Sequence, residues 1–369
     1  MTIGVLKEGK GENRVVLLPE HVASLTKRKF SVLVEKDAGK GSFASDDAYE
    51  AAGATIQNRP AVMGEADLIL SIHAPLDDLP KGKVLVSVLS PLSDRITVNK
   101  LAHEGVISFS LDMIPRLTRA QSVDVLSSMA TVAGYKAVLV AASELPRFFP
   151  MFMSASGTIK PSKVLILGAG VAGLQALATS RKLGAVVEVF DVRSAVREEV
   201  KSLGGKFIEV EGARDDASAG GYAVEQTEDY KLRQADLIQK HAIQADVVIT
   251  TALIPGRKAP LLITRKTVES MKPGSVIIDL ASSTGGNCEL TRDNEKVVHQ
   301  GVTIIGNSNY ASTIPSDASK MLGRNFLNFI DIMISGEGKI DLLVKDEIVQ
   351  EACITRDGQV VHEKLKQAL

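Results

Sequence analysis

Residues 163–191 constrain this chain more than any other stretch. Lys163-Val164-Leu165-Ile166-Leu167 is a short run with no polar alternation, as expected of a strand covered on both faces. It leads directly into Gly168-Ala169-Gly170-Val171-Ala172-Gly173, which opens a helical stretch, Leu174 to Leu183. A second buried strand, Val186-Val187-Glu188-Val189-Phe190, ends in Asp191. Glycines at this spacing occur in many loops and say little alone. Between a buried strand and a helix start they predict a βαβ unit: the first glycine turns the chain, the second lets backbone approach a ligand, and the third lets helix lie close to strand.

The unit has a chemical consequence. A helix start offers N–H groups without intrahelical partners and a partial positive charge, which suits a pyrophosphate. Asp191, about twenty residues past the turn, is placed to accept hydrogen bonds from both hydroxyls of an adenosine ribose, and its charge disfavours a 2′-phosphate. The expected ligand is therefore NAD(H), held by Gly168, Gly170, Val171, Ala172, Gly173, Asp191, Val192 and Arg193. Two readings compete with this one. The glycines could serve packing alone, with Asp191 a solvated strand-end charge, or Arg193 could hold the 2′-phosphate of NADP(H).

A chain of 369 residues predicts two domains. Before residue 120, short apolar runs (Ile3 to Leu6, Val32 to Glu35, Leu68 to Ile72, Val84 to Leu89, Val106 to Leu111) alternate with helical stretches (Glu20 to Lys29, Ile96 to His103), the pattern of a parallel sheet covered by helices. Ala120 to Leu145 has three- and four-residue apolar spacing and predicts one long helix. A second α/β series follows: beyond the βαβ unit come strands at Phe207 to Val210, Val247 to Thr251, Val276 to Leu280 and Val302 to Ile305, and a helix at Leu232 to Ile243. A helix over Ser316 to Ile334 is expected to return the chain to the first domain. The expected fold class is α/β, with two Rossmann-like domains built on open parallel sheets: residues 1–126 with 313–369, and 127–312. Glu211 to Tyr230 is polar, glycine-containing and without period, which in a compact domain marks a functional or disordered loop.

Composition narrows the function. Lys and Arg (43) balance Asp and Glu (44), which argues against a chain that coats nucleic acid or anionic lipid. Cys288 and Cys353 form no C-x-x-C unit, and His21, His103, His241, His299 and His362 show no metal spacing, so neither a disulfide framework nor a metal is expected. The residues from Met1 to Glu8 lack the pattern of a signal peptide, and Val164 to Ser180 falls short of the roughly 20 apolar residues of a membrane span. A cytoplasmic location is expected.

Beyond the glycine turn, several segments carry a family resemblance. These are Arg116-Leu117-Thr118-Arg119-Ala120-Gln121-Ser122-Val123-Asp124-Val125-Leu126-Ser127, Ala133-Gly134-Tyr135-Lys136-Ala137, Thr250-Thr251-Ala252-Leu253-Ile254-Pro255-Gly256, Asp279-Leu280-Ala281 and Gly285-Gly286-Asn287-Cys288-Glu289. From Lys7-Glu8 to about Ile334 the chain resembles the NAD(H)-binding soluble component of proton-translocating nicotinamide nucleotide transhydrogenase. The resemblance implies a homodimer of two-domain protomers. It also implies hydride transfer between NAD(H) on this chain and NADP(H) on a partner component, coupled to proton movement through a membrane-spanning one. With no transmembrane helices before Leu369, those components are expected on separate polypeptides, holding this chain at the inner face of the cytoplasmic membrane. Carried over by motif position, Arg116, Gln121, Asp124 and Ser127 would surround the nicotinamide half of NAD(H), and Tyr222 would sit in a mobile loop that closes over the nucleotide. Thr251, Ala252 and Leu253 would complete the cofactor contacts.

Hydride transfer between two nicotinamides needs no general acid or base, only two rings held close with water excluded. Arg116 can donate a fork to a carboxamide or phosphate, Asp124 and Ser127 can anchor the carboxamide, and Gln121 can reach a ribose hydroxyl. In a helix Asp124 and Ser127 would share one face; without the resemblance the same residues read equally well as a helix cap and surface charges.

Alanine dehydrogenases are the enzymatic rival, sharing the Lys7-Glu8 and Asn13-Arg14-Val15 region and the glycine turn. Their lysine before a Glu-Pro pair and histidine in a Leu-His-Leu segment bind substrate and shuttle a proton. The matching stretches here are Ser71-Ile72-His73-Ala74-Pro75-Leu76 and Val88-Leu89-Ser90-Pro91-Leu92, with His73 and Ser90 in their place. The acid–base apparatus of amine chemistry is thus missing. His73 has no partner visible in the sequence, which favours a structural role for it. A third reading is an NAD sensor that binds without turnover.

Overall fold

In the computed structural model, residues 1–76, 81–210, 227–334, 341–342 and 345–366 are described. They form two compact units, Met1–Met129 with Ala311–Leu369, and Ala130–Tyr310. The first unit begins with strands β1 (Thr2–Val5), β2 (Ser31–Glu35), β3 (Thr55–Gln57), β4 (Leu68–Leu70), β5 (Val84–Ser87) and β6 (Ile107–Ser110). The second holds β7 (Phe152–Ser154), β8 (Gly157–Ile159), β9 (Lys163–Leu167), β10 (Val186–Phe190), β11 (Lys206–Ile208), β12 (Val247–Thr250), β13 (Val276–Asp279), β14 (Glu295–His299) and β15 (Val302–Gly306). After the helix Pro315–Met333 the chain adds β16 (Cys353–Arg356) and β17 (Gln359–Val360) to the first unit.

The sheet orders are β17-β16-β6-β5-β4-β1-β2-β3 and β11-β10-β9-β12-β13-β15-β14. Each contains six parallel strands wound outward in two directions from a central pair, the doubly wound arrangement, in which ligands bind beyond the carboxyl ends of the strands where the winding reverses. The α/β class read from the sequence is the one observed. The unalternated strands explain it: successive residues of β9 enter opposite cores, Val164 and Ile166 one, Leu165 and Leu167 the other. The same division places Ile3 and Val5 in the main core of the first unit, and Leu85 in the core on the opposite face.

One expectation changes, and the edge strand β14 is one the sequence does not announce. The single helix from Ala120 is a 3-10 turn, Thr118–Val123, followed by a helix over Val125–Glu144, with Asp124 extended between them. The strand β14 carries too many charges to read as buried; it is an antiparallel edge joined to β15 by Gln300 and Gly301, both at positive φ (47° and 80°), as a two-residue hairpin turn requires.

The helix Val125–Glu144 is apolar and long enough, by composition and length, to cross a membrane. Its apolar residues have a use within the second unit, where Ala137, Val138 and Ala141 are fully buried in the core that β9 also feeds. Gly134 explains its closest approach: a Cβ there would stand 2.2 Å from the carbonyl oxygen of Ala172, inside the glycine turn. Gly to Ala within a helix ordinarily stabilises by about 1 kcal/mol. Here backbone lies on both sides of the clash, so Gly134→Ala is expected to destabilise by roughly 1–3 kcal/mol and lower the melting temperature. A raised melting temperature would refute the close packing.

Candidate functional site

The three glycines of the turn are required for different reasons. Gly168 has φ 106°, and a Cβ on it would meet Thr251 Oγ1 at 2.4 Å. At Gly173 a Cβ would stand 1.8 Å from the carbonyl oxygen of Gly168. Both are demanded by the fold. Gly170 is not: its backbone is extended (φ −75°, ψ −173°), and among the described residues no heavy atom beyond its own residue and its two chain neighbours lies within 4 Å of a Cβ built there. It is the N-cap of the helix Val171–Lys182, three residues longer at its start than the sequence suggests, and makes no side-chain cap. The first-turn N–H groups have no partners within the helix, and the space at the Gly170 Cβ position is open. Packing alone does not account for this glycine, and the residues fit a pyrophosphate.

Beside the turn, Asp191 is buried, and its Oδ2 accepts a hydrogen bond from Ala169 N–H at 2.7 Å. Arg193 folds back on the same carboxylate through its backbone N–H (2.8 Å), Nε (2.9 Å) and Nη2 (2.7 Å). Val192 between them is half-buried. On the neighbouring strand end, the Thr251 hydroxyl lies 3.2 Å from the carbonyl oxygen of Gly168, linking the two loops. Ala252 is held by a residue that the sequence does not single out as a contributor. Asn287, fully buried, accepts from Ala252 N–H (3.0 Å) and donates to the carbonyls of Ala252 (2.9 Å) and Pro260 (2.8 Å). Leu253 is exposed beyond this clamp. The family segment around Gly285-Gly286-Asn287 was the available signal for it. Next to it, burial pushes the Cys288 thiol up to about 11, so it is no nucleophile at neutral pH.

In the first unit the segment with Arg116 to Ser127 is anchored by its own buried residues, Ala120 and Val123, and by the returning helix Pro315–Met333. Asn325 and Asn328 both donate to the Ser122 carbonyl at 2.9 Å. Arg119 pairs with Asp346 at 2.8 Å. Arg116 and Gln121 are exposed. Asp124 and Ser127 do meet, though not as neighbours on one helix face: Asp124 precedes the helix and caps it, accepting from Ser127 N–H at 2.9 Å and from the Ser127 hydroxyl at 2.6 Å. Tyr222 lies outside the described residues.

His73 does have a partner. Its Nε2 lies 3.3 Å from Glu12 Oε2, and its backbone N–H, with that of Ile72, donates to Glu8. Glu12 is also gripped by the forked guanidinium of Arg14, and Arg14 Nη1 reaches Met129 Sδ. Beside this cluster lies a cavity of about 390 Å³ lined by Lys7, Glu8, Lys10, Glu12, Asp37 and Lys40, among others. Ser90, at the second dehydrogenase position, is exposed at φ 49°.

Burial raises the Glu8 carboxyl, with the Ile72 and His73 contacts opposing it. Burial would raise Glu12 as well, but Arg14 and His73 hold it well below the ordinary 4.5. A folded-state value below the unfolded one contributes stability that is present above the unfolded pKa and lost as pH falls. Glu12→Gln is therefore expected to be less stable than wild type at neutral pH, with the two unfolding curves converging as pH drops below 4.5. A gap that stays constant to low pH would show that Glu12 is not held ionised.

The chain matches the family described as "Alanine dehydrogenase/PNT, N-terminal domain" over residues 4–133 and "Alanine dehydrogenase/PNT, C-terminal domain" over residues 137–363. It is 44% identical to an "NAD(P) transhydrogenase subunit alpha" polypeptide of Rhodospirillum rubrum, over 99% of each chain. It is 28% identical to an alanine dehydrogenase of Mycolicibacterium smegmatis, over all of this chain and 97% of that one. Among solved structures, the transhydrogenase from Sinorhizobium meliloti superposes with a TM-score of 0.89 at 41% identity, covering 98% of this chain and all of that one. Both units fall within these matches, and the chain belongs to the alanine dehydrogenase/PNT family.

Proposed function

We propose that the chain is the NAD(H)-binding component of a proton-translocating NAD(P) transhydrogenase. In this reading it works as a homodimer at the inner face of the cytoplasmic membrane, with an NADP(H)-binding component and a membrane-spanning component on separate polypeptides. The open space above Gly170, which no packing requirement explains, is the observation that carries the nucleotide; the names of the more similar relatives support the reaction. The bound nicotinamide supplies or takes the hydride. The chain's own residues bind and orient. Gly168 to Gly173 with the helix start receive the pyrophosphate, Asp191 the adenosine ribose, and Thr251 to Leu253 the strand-end side of the nucleotide. Arg116, Gln121, Asp124 and Ser127 serve the nicotinamide half, with Asp124 already fixed by Ser127.

An orienting role suits the side chains present. His73 contacts Glu12, whose carboxylate Arg14 also holds, and His73 and Ser90 stand where the alanine dehydrogenases have their lysine and histidine. The test combines the chain with the NADP(H)-binding component of a transhydrogenase, NADPH and an oxidised NAD analogue of distinct absorbance. Reduction of the analogue is expected. No reduction, with NADH binding intact, overturns the transhydrogenase reading; alanine-dependent NADH formation by the chain alone would establish the dehydrogenase instead.

A further inference from the structure

A carboxylate offers about four acceptor directions. At Asp191 all four are engaged: Oδ1 accepts from Arg193 N–H and Nε, Oδ2 from Arg193 Nη2 and Ala169 N–H. The Asp191 side chain is 5% exposed and that of Arg193 24%. The two side-chain bonds form the forked guanidinium–carboxylate contact, the strong form of this pairing. The same fork matches a phosphate. A cation suited to a 2′-phosphate is thus already present two residues past the acid, and the acid neutralises it.

We propose that Arg193 is a latent 2′-phosphate receptor quenched by Asp191, so that this ion pair sets the choice between NAD(H) and NADP(H). The proposal rests on the NAD(H) reading above and extends it to the specificity of that site. Donor and acceptor roles give the reason. A ribose diol donates, so it competes with Arg193 for Asp191 and can share or displace the guanidinium. At neutral pH a 2′-phosphate is chiefly a dianion that only accepts, so it competes with Asp191 for Arg193 and meets a fork already held. Charge repulsion by Asp191 acts in the same direction, but it is not the whole of the discrimination. In an enzyme whose two components carry different nucleotides, quenching a resident arginine keeps each nucleotide on its own component.

Asp191→Asn keeps a carbonyl oxygen for Ala169 N–H and removes the charge that holds Arg193. Asp191→Ser removes the carboxylate without placing an amide next to that N–H. Equilibrium binding of NADH and NADPH, followed by nucleotide fluorescence, and melting temperature are measured for the wild type, both single variants and Asp191→Asn with Arg193→Ala. Wild type is expected to bind NADH and discriminate against NADPH. Either single variant is expected to bind NADPH about tenfold more tightly than wild type, with the gain lost in the double variant. Two results overturn the proposal: folded single variants with no gain for NADPH, or a gain that survives Arg193→Ala. A wild-type chain that binds no NADH refutes the NAD(H) reading itself and the proposal with it, a result distinct from both.

Discussion

Gly170→Val is expected to melt like the wild type and to bind NADH roughly a hundredfold more weakly or worse. The fold half follows from local geometry: the backbone at Gly170 is extended, which any residue adopts, and no described heavy atom beyond its chain neighbours lies within 4 Å of its Cβ position. The binding half follows from the pyrophosphate reading of the turn: a branched side chain at Gly170 would take up open space at the helix start that the phosphate needs. Losing two charge-assisted hydrogen bonds to a phosphate, at about 1.5–3 kcal/mol each, gives that factor. Gly173→Ala makes the contrast. Its Cβ would stand 1.8 Å from the Gly168 carbonyl oxygen, so fold and binding are expected to fail together. Unaltered NADH affinity in a folded Gly170→Val chain would remove the pyrophosphate from this turn.

How much of this was legible depended on whether the signal was local. The βαβ unit from Lys163 to Asp191 could be read because strand burial, turn and helix start are all encoded within thirty residues or so. The returning helix Pro315–Met333 was readable from its periodicity, but β16 and β17 after it were not, because Cys353–Arg356 pairs with β6 more than two hundred residues away. Asp124 shows the limit of a periodic pattern. Apolar spacing continues smoothly through it, while its carboxylate prefers the helix cap, so the helix starts after it. His73 shows the limit of reading by proximity, since its partner Glu12 comes from a different loop. Asn287 and Asp279 were visible only as parts of a family segment, because what each does is hold backbone groups that no sequence pattern marks.

Asp279→Ala is expected to be strongly destabilising. Asp279 is fully buried at the end of β13 and accepts five hydrogen bonds. Oδ1 takes Thr250 Oγ1 and Ala281 N–H, each at 3.0 Å; Oδ2 takes Asn287 N–H (2.8 Å), Cys288 N–H (3.0 Å) and Thr291 Oγ1 (2.7 Å). The hydroxyls can turn to other acceptors, but the three backbone N–H groups cannot. At about 1–3 kcal/mol for each unsatisfied buried donor, with some relaxation, a loss of about 4 kcal/mol is expected, a large share of a typical domain's stability. Denaturant unfolding should show a lower midpoint at an unchanged slope. The effect should reach the nucleotide site through one identifiable route: Asp279 fixes Asn287 N–H, and Asn287 clamps both backbone groups of Ala252. NADH binding in the fraction that remains folded should therefore weaken as well. Binding unchanged in a destabilised chain would confine Asp279 to the scaffold and break the proposed link between the Asn287 clamp and the cofactor.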